Sequence, residues 1–293
     1  MKIVVKPSLF NLEDYIKRGA SAFLFGINSY SLNGSGIVSL EELKDITKKY
    51  LGKVEIFVRL DNNYFNKDIK GLKEILKELE ILKITGVFFC DLGLINLVKE
   101  NNLNINLVWN QNYLVTNSMT CNYYYNMGIK SGVLTTELTA NEMALIANNT
   151  KMDLFVNLFG YQMMAVSKRK FVSHYFDFIK EEKKEEDFFF IEKDNSYQIK
   201  EDENGTIMLS NYVLNGLSKV KMLKEANIKY IIIDSINIFH GIILDIIEYY
   251  KKAVISSKEK DLLELDFKVK ELVSNTSLGF LEEKTIFQVK NHE

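Results

Sequence analysis

Residues 153–178, DLFVNLFGYQMMAVSKRKFVSHYFDF, decide how the chain is organised. The run Leu154–Phe159 is almost wholly apolar and lacks strict alternation, which predicts a strand buried on both faces. Gly160 is expected to break it. Beyond the glycine, Lys168, Arg169 and Lys170 stand among Tyr161, Phe171, Tyr175, Phe176 and Phe178. Cations interleaved with aromatic rings suit a phosphate backbone with stacked bases. They also suit a solvated turn leading into an amphipathic segment. A regular rhythm of strands and helices runs up to Phe159, and the fold depends on whether that rhythm resumes afterwards.

Before this stretch, short apolar runs predict strands at Ile3–Val5, Ala22–Phe25, Val54–Leu60, Val87–Cys90, Ile105–Trp109 and Gly132–Thr135. Helical signals lie between them. Asn11 can cap a helix that Gly19 ends, and Ser39/Glu42 and Thr139/Glu142 have capping-box spacing. Leu72, Ile75, Leu76, Leu79 and Leu82 recur at helical intervals, and a further helix is expected over Ser118–Met127. After the stretch, Lys180–Asp187 reads as a solvated helix end. Phe188–Glu192, Tyr197–Glu201 and Thr206–Leu209 read as a small hairpin sheet turning at Asn204-Gly205. The rhythm then resumes with a helix near Leu214–Ala226, a strand at Tyr230–Ile233 and an amphipathic helix through Ile242–Tyr250. Eight strand–helix repeats with buried strands predict an α/β protein, a (β/α)8 TIM-like barrel. Residues 161–212 form an insertion between strands seven and eight, and residues 258–293 a C-terminal extension with one more helix and an apolar end at Thr285–Val289. An open doubly wound sheet is the competing architecture.

The totals narrow the function. The chain has 293 residues, 47% of them hydrophobic, and a formal net charge of −2, so any contact with nucleic acid must be local. Two cysteines, Cys90 and Cys121, cannot supply a four-thiolate cluster. His174, His240 and His292 show no metal-ligand spacing, and no metal site is expected. The first residues carry too short an apolar run for a signal peptide, and no run is long enough to span a membrane. A soluble cytoplasmic protein is the expectation.

In a barrel of this kind, chemistry gathers at the C-terminal ends of the strands. Those ends read Ser8, Asn28, Arg59, Asp61, Asn62, Asp91, Asn110, Gln111, Glu137, Asn157 and Asp234. Glu137 could serve as a general base or hydrogen-bond acceptor, or simply favour the helix that follows. Asn110 and Gln111 could read a planar polar ligand. Asn33-Gly34-Ser35-Gly36 is reminiscent of a phosphate loop, but Ser39 replaces the last glycine of the dinucleotide pattern, and an ordinary loop is expected.

These residues, in this order, resemble the collagenase-like peptidase family, the thirty-second family of unknown-mechanism peptidases. The resemblance runs from Gly19-Ala20-Ser21-Ala22, through Asp91-Leu92-Gly93-Leu94, Asn110-Gln111 and Glu137-Leu138, to Leu154–Gly160, Asn211–Ala226 and Gly279-Phe280-Leu281. Longer members carry a cysteine cluster after strand seven, used in relatives for an iron–sulfur centre. Here Lys170 stands where the first of those cysteines would be, and the others are absent. The chain therefore resembles the short members, which are often encoded beside a longer homologue. The resemblance implies a part in hydroxylating the wobble uridine of transfer RNA, with prephenate as a required metabolite. It implies no cofactor held by this chain alone, and an iron–sulfur cluster only in a longer homologous subunit.

On this reading Gln111 and Glu137 are the candidate catalytic residues. Asn110, Asn157, Tyr161, Gln162, Lys168, Arg169, Lys170 and His174 are the candidate substrate-binding residues. A collagenase-like hydrolase and a non-catalytic scaffold subunit are the alternatives. A hydrolase would need a nucleophile and base that the sequence does not visibly pair.

Overall fold

The computed structural model describes residues 1–8, 11–111, 115–184, 187–256 and 258–282. The described residues form thirteen strands: β1 Lys2–Lys6, β2 Ala22–Ile27, β3 Ile37–Val38, β4 Glu55–Leu60, β5 Gly86–Phe89, β6 Leu107–Trp109, β7 Ser131–Val133, β8 Asp153–Ser167, β9 Phe188–Glu192, β10 Asn195–Asp202, β11 Gly205–Asn215, β12 Tyr230–Asp234 and β13 Thr276–Ser277. Eight of them, β1, β2, β4, β5, β6, β7, β8 and β12, pair in parallel in that order, and β12 closes the ring by pairing with both β8 and β1. The fold is a closed (β/α)8 barrel, and the open sheet is excluded.

The local signals act as chemistry requires. Asn11 accepts from the Glu13 N–H to start helix α1 (Leu12–Arg18), and Gly19 ends it at φ 117°. Both capping boxes form, at the starts of α2 (Leu40–Tyr50) and α6 (Ala140–Asn148). The predicted leucine repeat lies on α3 (Ile69–Ile81), which buries Leu72, Leu76 and Leu79. Helices α4 (Gly93–Glu100) and α5 (Ser118–Asn126) complete that side of the barrel.

Residues two apart on a strand share a face. Val4, Leu24, Phe57, Phe88, Val108, Val133, Phe155 and Ile232 fill the barrel interior. Its lower part is an aromatic plug: Phe57, Phe88 and Phe155 meet edge-on at 5.0–5.6 Å, and Phe155 stacks on Tyr230 at 4.1 Å. Outward positions such as Ile3, Val5, Phe23 and Phe25 join a second core with the helices.

The stretch around Gly160 departs from expectation. The strand does not break there. Strand β8 pairs with β12 as far as Phe159, then continues to Ser167 in antiparallel pairing with β11. Gly160 has φ +119°, and a Cβ built there would lie 2.7 Å from the Asp234 carbonyl oxygen. Only glycine lets β8 pass so close to β12 as it leaves the barrel. Strand β11 correspondingly runs on to Asn215. The expected helix from Leu214 is replaced by a 3-10 turn, Leu217–Lys219, and a short helix α8, Val220–Glu225. Strands β8, β11, β10 and β9 form an antiparallel sheet beside the mouth, with helix α7 (Phe171–Ile179) packed on it. The helix of the charge run ends at Ile179, earlier than expected. Two long helices, α9 (His240–Ile255) and α10 (Glu259–Leu272), follow. His292 and Thr285–Val289 lie outside the described residues. No described helix is long and apolar enough to cross a membrane.

Candidate functional site

One step above the apolar interior layer, the inward positions are Lys6, Gly26, Arg59, Cys90, Asn110, Thr135, Asn157 and Asp234. The same period of two that fills the plug with apolar groups therefore delivers polar groups to the C-terminal mouth. The mouth is a polar depression partly open to solvent, lined by Lys6, Gly34, Ser35, Arg59, Asp61, Asn157, Tyr161, Gln162 and Asp234 among others. Ile207, Leu209, Tyr161 and Met163 of the insertion pack with Ile236, on the loop after β12, as an apolar wall.

Two ion pairs dominate the mouth. The Lys6 ammonium lies 2.9 Å from Asp234 Oδ2. Burial alone pushes the Asp234 carboxyl up, but Lys6 and hydrogen bonds from Ile236 N–H and Ser35 bring it below the usual value. The Arg59 guanidinium, 4% exposed, donates to both Asp61 oxygens at 3.1–3.2 Å and to the Leu32 carbonyl at 2.7 Å. Its Nε is buried with no acceptor. Gly26 makes room for this arrangement, since a Cβ there would come within 3.0 Å of Arg59 Cζ.

A side groove opens from Asp61 toward β6. It is lined by Asp61, Asn62, Asn63, Cys90, Asn110, Gln111 and Lys168 among others. Gln111 is fixed between the Trp109 indole N–H and the Cys90 carbonyl, both at 3.2 Å. The Cys90 thiol donates to the Asp61 carbonyl, and burial, with Asp61 and Asp91 nearby, pushes it up to about 12. An outer cleft continues past Asn62 and Asn63 and is lined by Tyr30, Phe65, Lys67, Lys168, Arg169 and Asn204 among others.

The sequence-predicted residues thus separate into groups. Asn157, Tyr161 and Gln162 line the mouth, Asn110 and Gln111 the side groove, Lys168 the groove and the cleft, and Arg169 the cleft. Glu137 is exposed on the rim beyond Thr136, and Lys170 and His174 are exposed at the start of α7; none of these three lines the openings described. His240 Nδ1 lies 3.1 Å from the Tyr15 hydroxyl, which also bonds Ser8. Burial raises Cys121 as well, to about 11. No group of three or more His, Cys, Asp or Glu suited to a metal ion occurs among the described residues. The sequence reading missed Lys6, which its register two residues after Val4 could have revealed, and the loop Asn33–Ser35, which lies in the mouth although it was expected to be an ordinary connection.

The profile of peptidase family U32 matches residues 8–286. A tRNA hydroxylation protein P2 of Bacillus subtilis (strain 168) is 25% identical over 303 residues, covering 97% of this chain and 98% of that protein. An uncharacterized protease of Methanocaldococcus jannaschii is 27% identical over 173 residues, 56% of this chain and 41% of the relative. Among solved structures, a tryptophan synthase complex from Pyrococcus furiosus aligns at TM-score 0.44 and 13% identity, over 92% of this chain and 97% of that one. A 2,3-dimethylmalate lyase aligns at TM-score 0.44 and 10% identity, over 92% of this chain and 91% of that one.

Proposed function

The chain belongs to peptidase family U32, and on that basis we propose that it acts in the hydroxylation of transfer RNA. The observation that supports this reading is the continuity of the three openings. The mouth and side groove share Asp61, and the groove and outer cleft share Asn62, Asn63 and Lys168. A strand of RNA held at Lys168 and Arg169 can follow that path to the mouth. Uracil offers one N–H and two carbonyls, which the amides of Gln111, Asn157 and Gln162 complement. The buried Arg59 Nε lacks an acceptor, and a carboxylate of a small acid such as prephenate would supply one.

Cys121, buried on α5, and Cys90, at the groove, are too few to ligate an iron–sulfur cluster alone, so a cluster taking part in the reaction would be held by a longer homologous subunit. We take this chain as the partner of such a subunit. A cysteine-peptidase role would require an activated thiolate, whereas burial pushes the Cys90 and Cys121 thiols up, to about 12 and about 11. The test is mass spectrometry of nucleosides from total transfer RNA, comparing a strain that lacks the gene with its complemented counterpart. Hydroxylated uridine lost on deletion and restored by complementation is the expected result. An unchanged nucleoside profile would overturn the proposal.

A further inference from the structure

The outer cleft carries a residue that no sequence motif singles out. Phe65 stands on the loop after β4 with 58% of its surface exposed. The Lys168 ammonium lies 4.3 Å from the centroid of its ring. Lys168 follows directly on β8, so ring and cation come from different parts of the fold, the barrel rim and the insertion. Hydrogen bonds hold those two parts together. Asn62 Nδ2 donates to Asn204 Oδ1 at 3.1 Å, Asn204 Nδ2 to the Ser31 carbonyl at 3.1 Å, and the Ser29 hydroxyl to Glu203 at 2.6 Å. The cleft is therefore built in advance rather than assembled around a ligand. Lys67 and Arg169 add positive charge to its walls, and with Lys168 they make three cations against the two carboxylates Asp68 and Glu203, both held by local hydrogen bonds. Asp68 accepts from the Phe65 N–H at 2.8 Å, and Glu203 accepts from Ser29.

We propose that this cleft binds unpaired RNA, with one base stacked on Phe65 and Lys168 moved from the ring face to the adjoining phosphate. The proposal rests on the transfer-RNA reading above and names the element that grips the RNA beside the mouth. An ammonium over an exposed ring is a weak contact that a phosphate readily replaces. The vacated ring face is then a stacking platform that tolerates any base. A duplex keeps its base faces covered, so only an unpaired stretch, such as a loop, can use this platform. The chain is acidic overall, with a formal net charge of −2, so the grip must be local.

The experiment measures binding of the full purified chain to a labelled fifteen-nucleotide oligouridine, and to the same strand annealed to its complement, across a salt series. We expect the single strand to bind more tightly than the duplex. Phe65→Ala should weaken single-strand binding about tenfold without changing the salt slope, and Phe65→Trp should retain it. Lys168→Gln should make the slope shallower by about 0.7. Phe65 is exposed, so its truncation leaves the core intact. Equal binding by wild type and Phe65→Ala, equal binding of duplex and single strand, or no binding at low salt would each overturn the proposal. The same variant separates the two claims in cells. Hydroxylation lost on deletion but fully restored by Phe65→Ala would refute the cleft and keep the transfer-RNA role. Unchanged nucleosides with Phe65-dependent binding in vitro would do the reverse.

Discussion

Helix α7 follows the basic cluster and carries its aromatic neighbours, yet its own N-cap residue, Lys170, makes no side-chain cap. The cap comes from Glu201 on β10. Its carboxylate accepts from the Val172 N–H at 2.7 Å and the Ser173 N–H at 3.2 Å, takes the Ser173 hydroxyl, and pairs with Lys183 at 2.8 Å. Its side chain is 2% exposed. Burial alone would push this carboxyl up, but Lys183, Ser173 and the helix N–H groups bring it down to about 2. Against an ordinary value near 4.3, that fall corresponds to about 3 kcal/mol of preference for the ionised form in the folded state. Because the folded value lies below the unfolded one, the contribution is complete above about pH 5 and is lost as pH falls toward about 2. Glu201→Gln keeps the shape and removes the charge. It should lower the protection of the residue 171–179 amides about a hundredfold at neutral pH, measured by hydrogen exchange corrected for intrinsic rates. In denaturant unfolding, the gap between wild type and variant should close as pH falls to about 2. A gap of the same size at about pH 2.5 and pH 7, or one under about 0.5 kcal/mol at neutral pH, would refute the assignment of Glu201 as the anchor of α7.

Three further outcomes concern the mouth, the strand that leaves it and the two buried thiols. Asp234→Asn strands a Lys6 ammonium whose side chain is only 23% exposed, and should cost about 1–3 kcal/mol, less than breaking a fully buried pair. Asp234 has a lowered folded value, so that cost should fade below about pH 4, as thermal melts at several pH values would reveal. Gly160→Ala puts a Cβ 2.7 Å from the Asp234 carbonyl oxygen at φ +119°, and should cost about 1–3 kcal/mol, lowering the melting temperature by about 2–5 °C; an unchanged melt would show that β8 can shift away from β12. Cys90 and Cys121, pushed up to about 12 and about 11, should alkylate at pH 8 far more slowly than a free thiol in intact-mass time courses, and reaction of either at the free rate would contradict the burial described.

The barrel was legible because each of its signals is local. A capping box needs four residues, and a buried strand needs one apolar run, so α2, α6, β2 and β12 could be read in isolation. The continuation of β8 was not legible, because glycine within a strand ordinarily weakens it. At Gly160 the glycine instead permits a close pass by Asp234, a contact made with a residue 74 positions later in the chain. The end of β11 was obscured similarly: Leu214 and Leu217 fit an apolar strand or a helix face equally well, and pairing of Leu214 with Gly160 decided between them.

The polar lining of the openings was legible by chemical type and obscure by register. Reading the residues that follow each strand finds Asp61, Asn62, Gln111 and Asp234, all of which line the openings, but it also returns Glu137, which lies outside them. Counting inward positions by twos from the apolar layer recovers Arg59, Asn157 and Asp234 and adds Lys6, because a strand that buries Val4 must also turn Lys6 inward. That count requires knowing which face of each strand is the interior, and in strands buried on both faces the sequence does not distinguish them. Phe65 is obscure for a different reason. A lone phenylalanine reads as core in any sequence, and it becomes a candidate platform only when the fold leaves its ring exposed beneath the cation of Lys168. The residues that join the barrel to its insertion are therefore the hardest to read in advance, since their placement arises from two parts of the chain brought together.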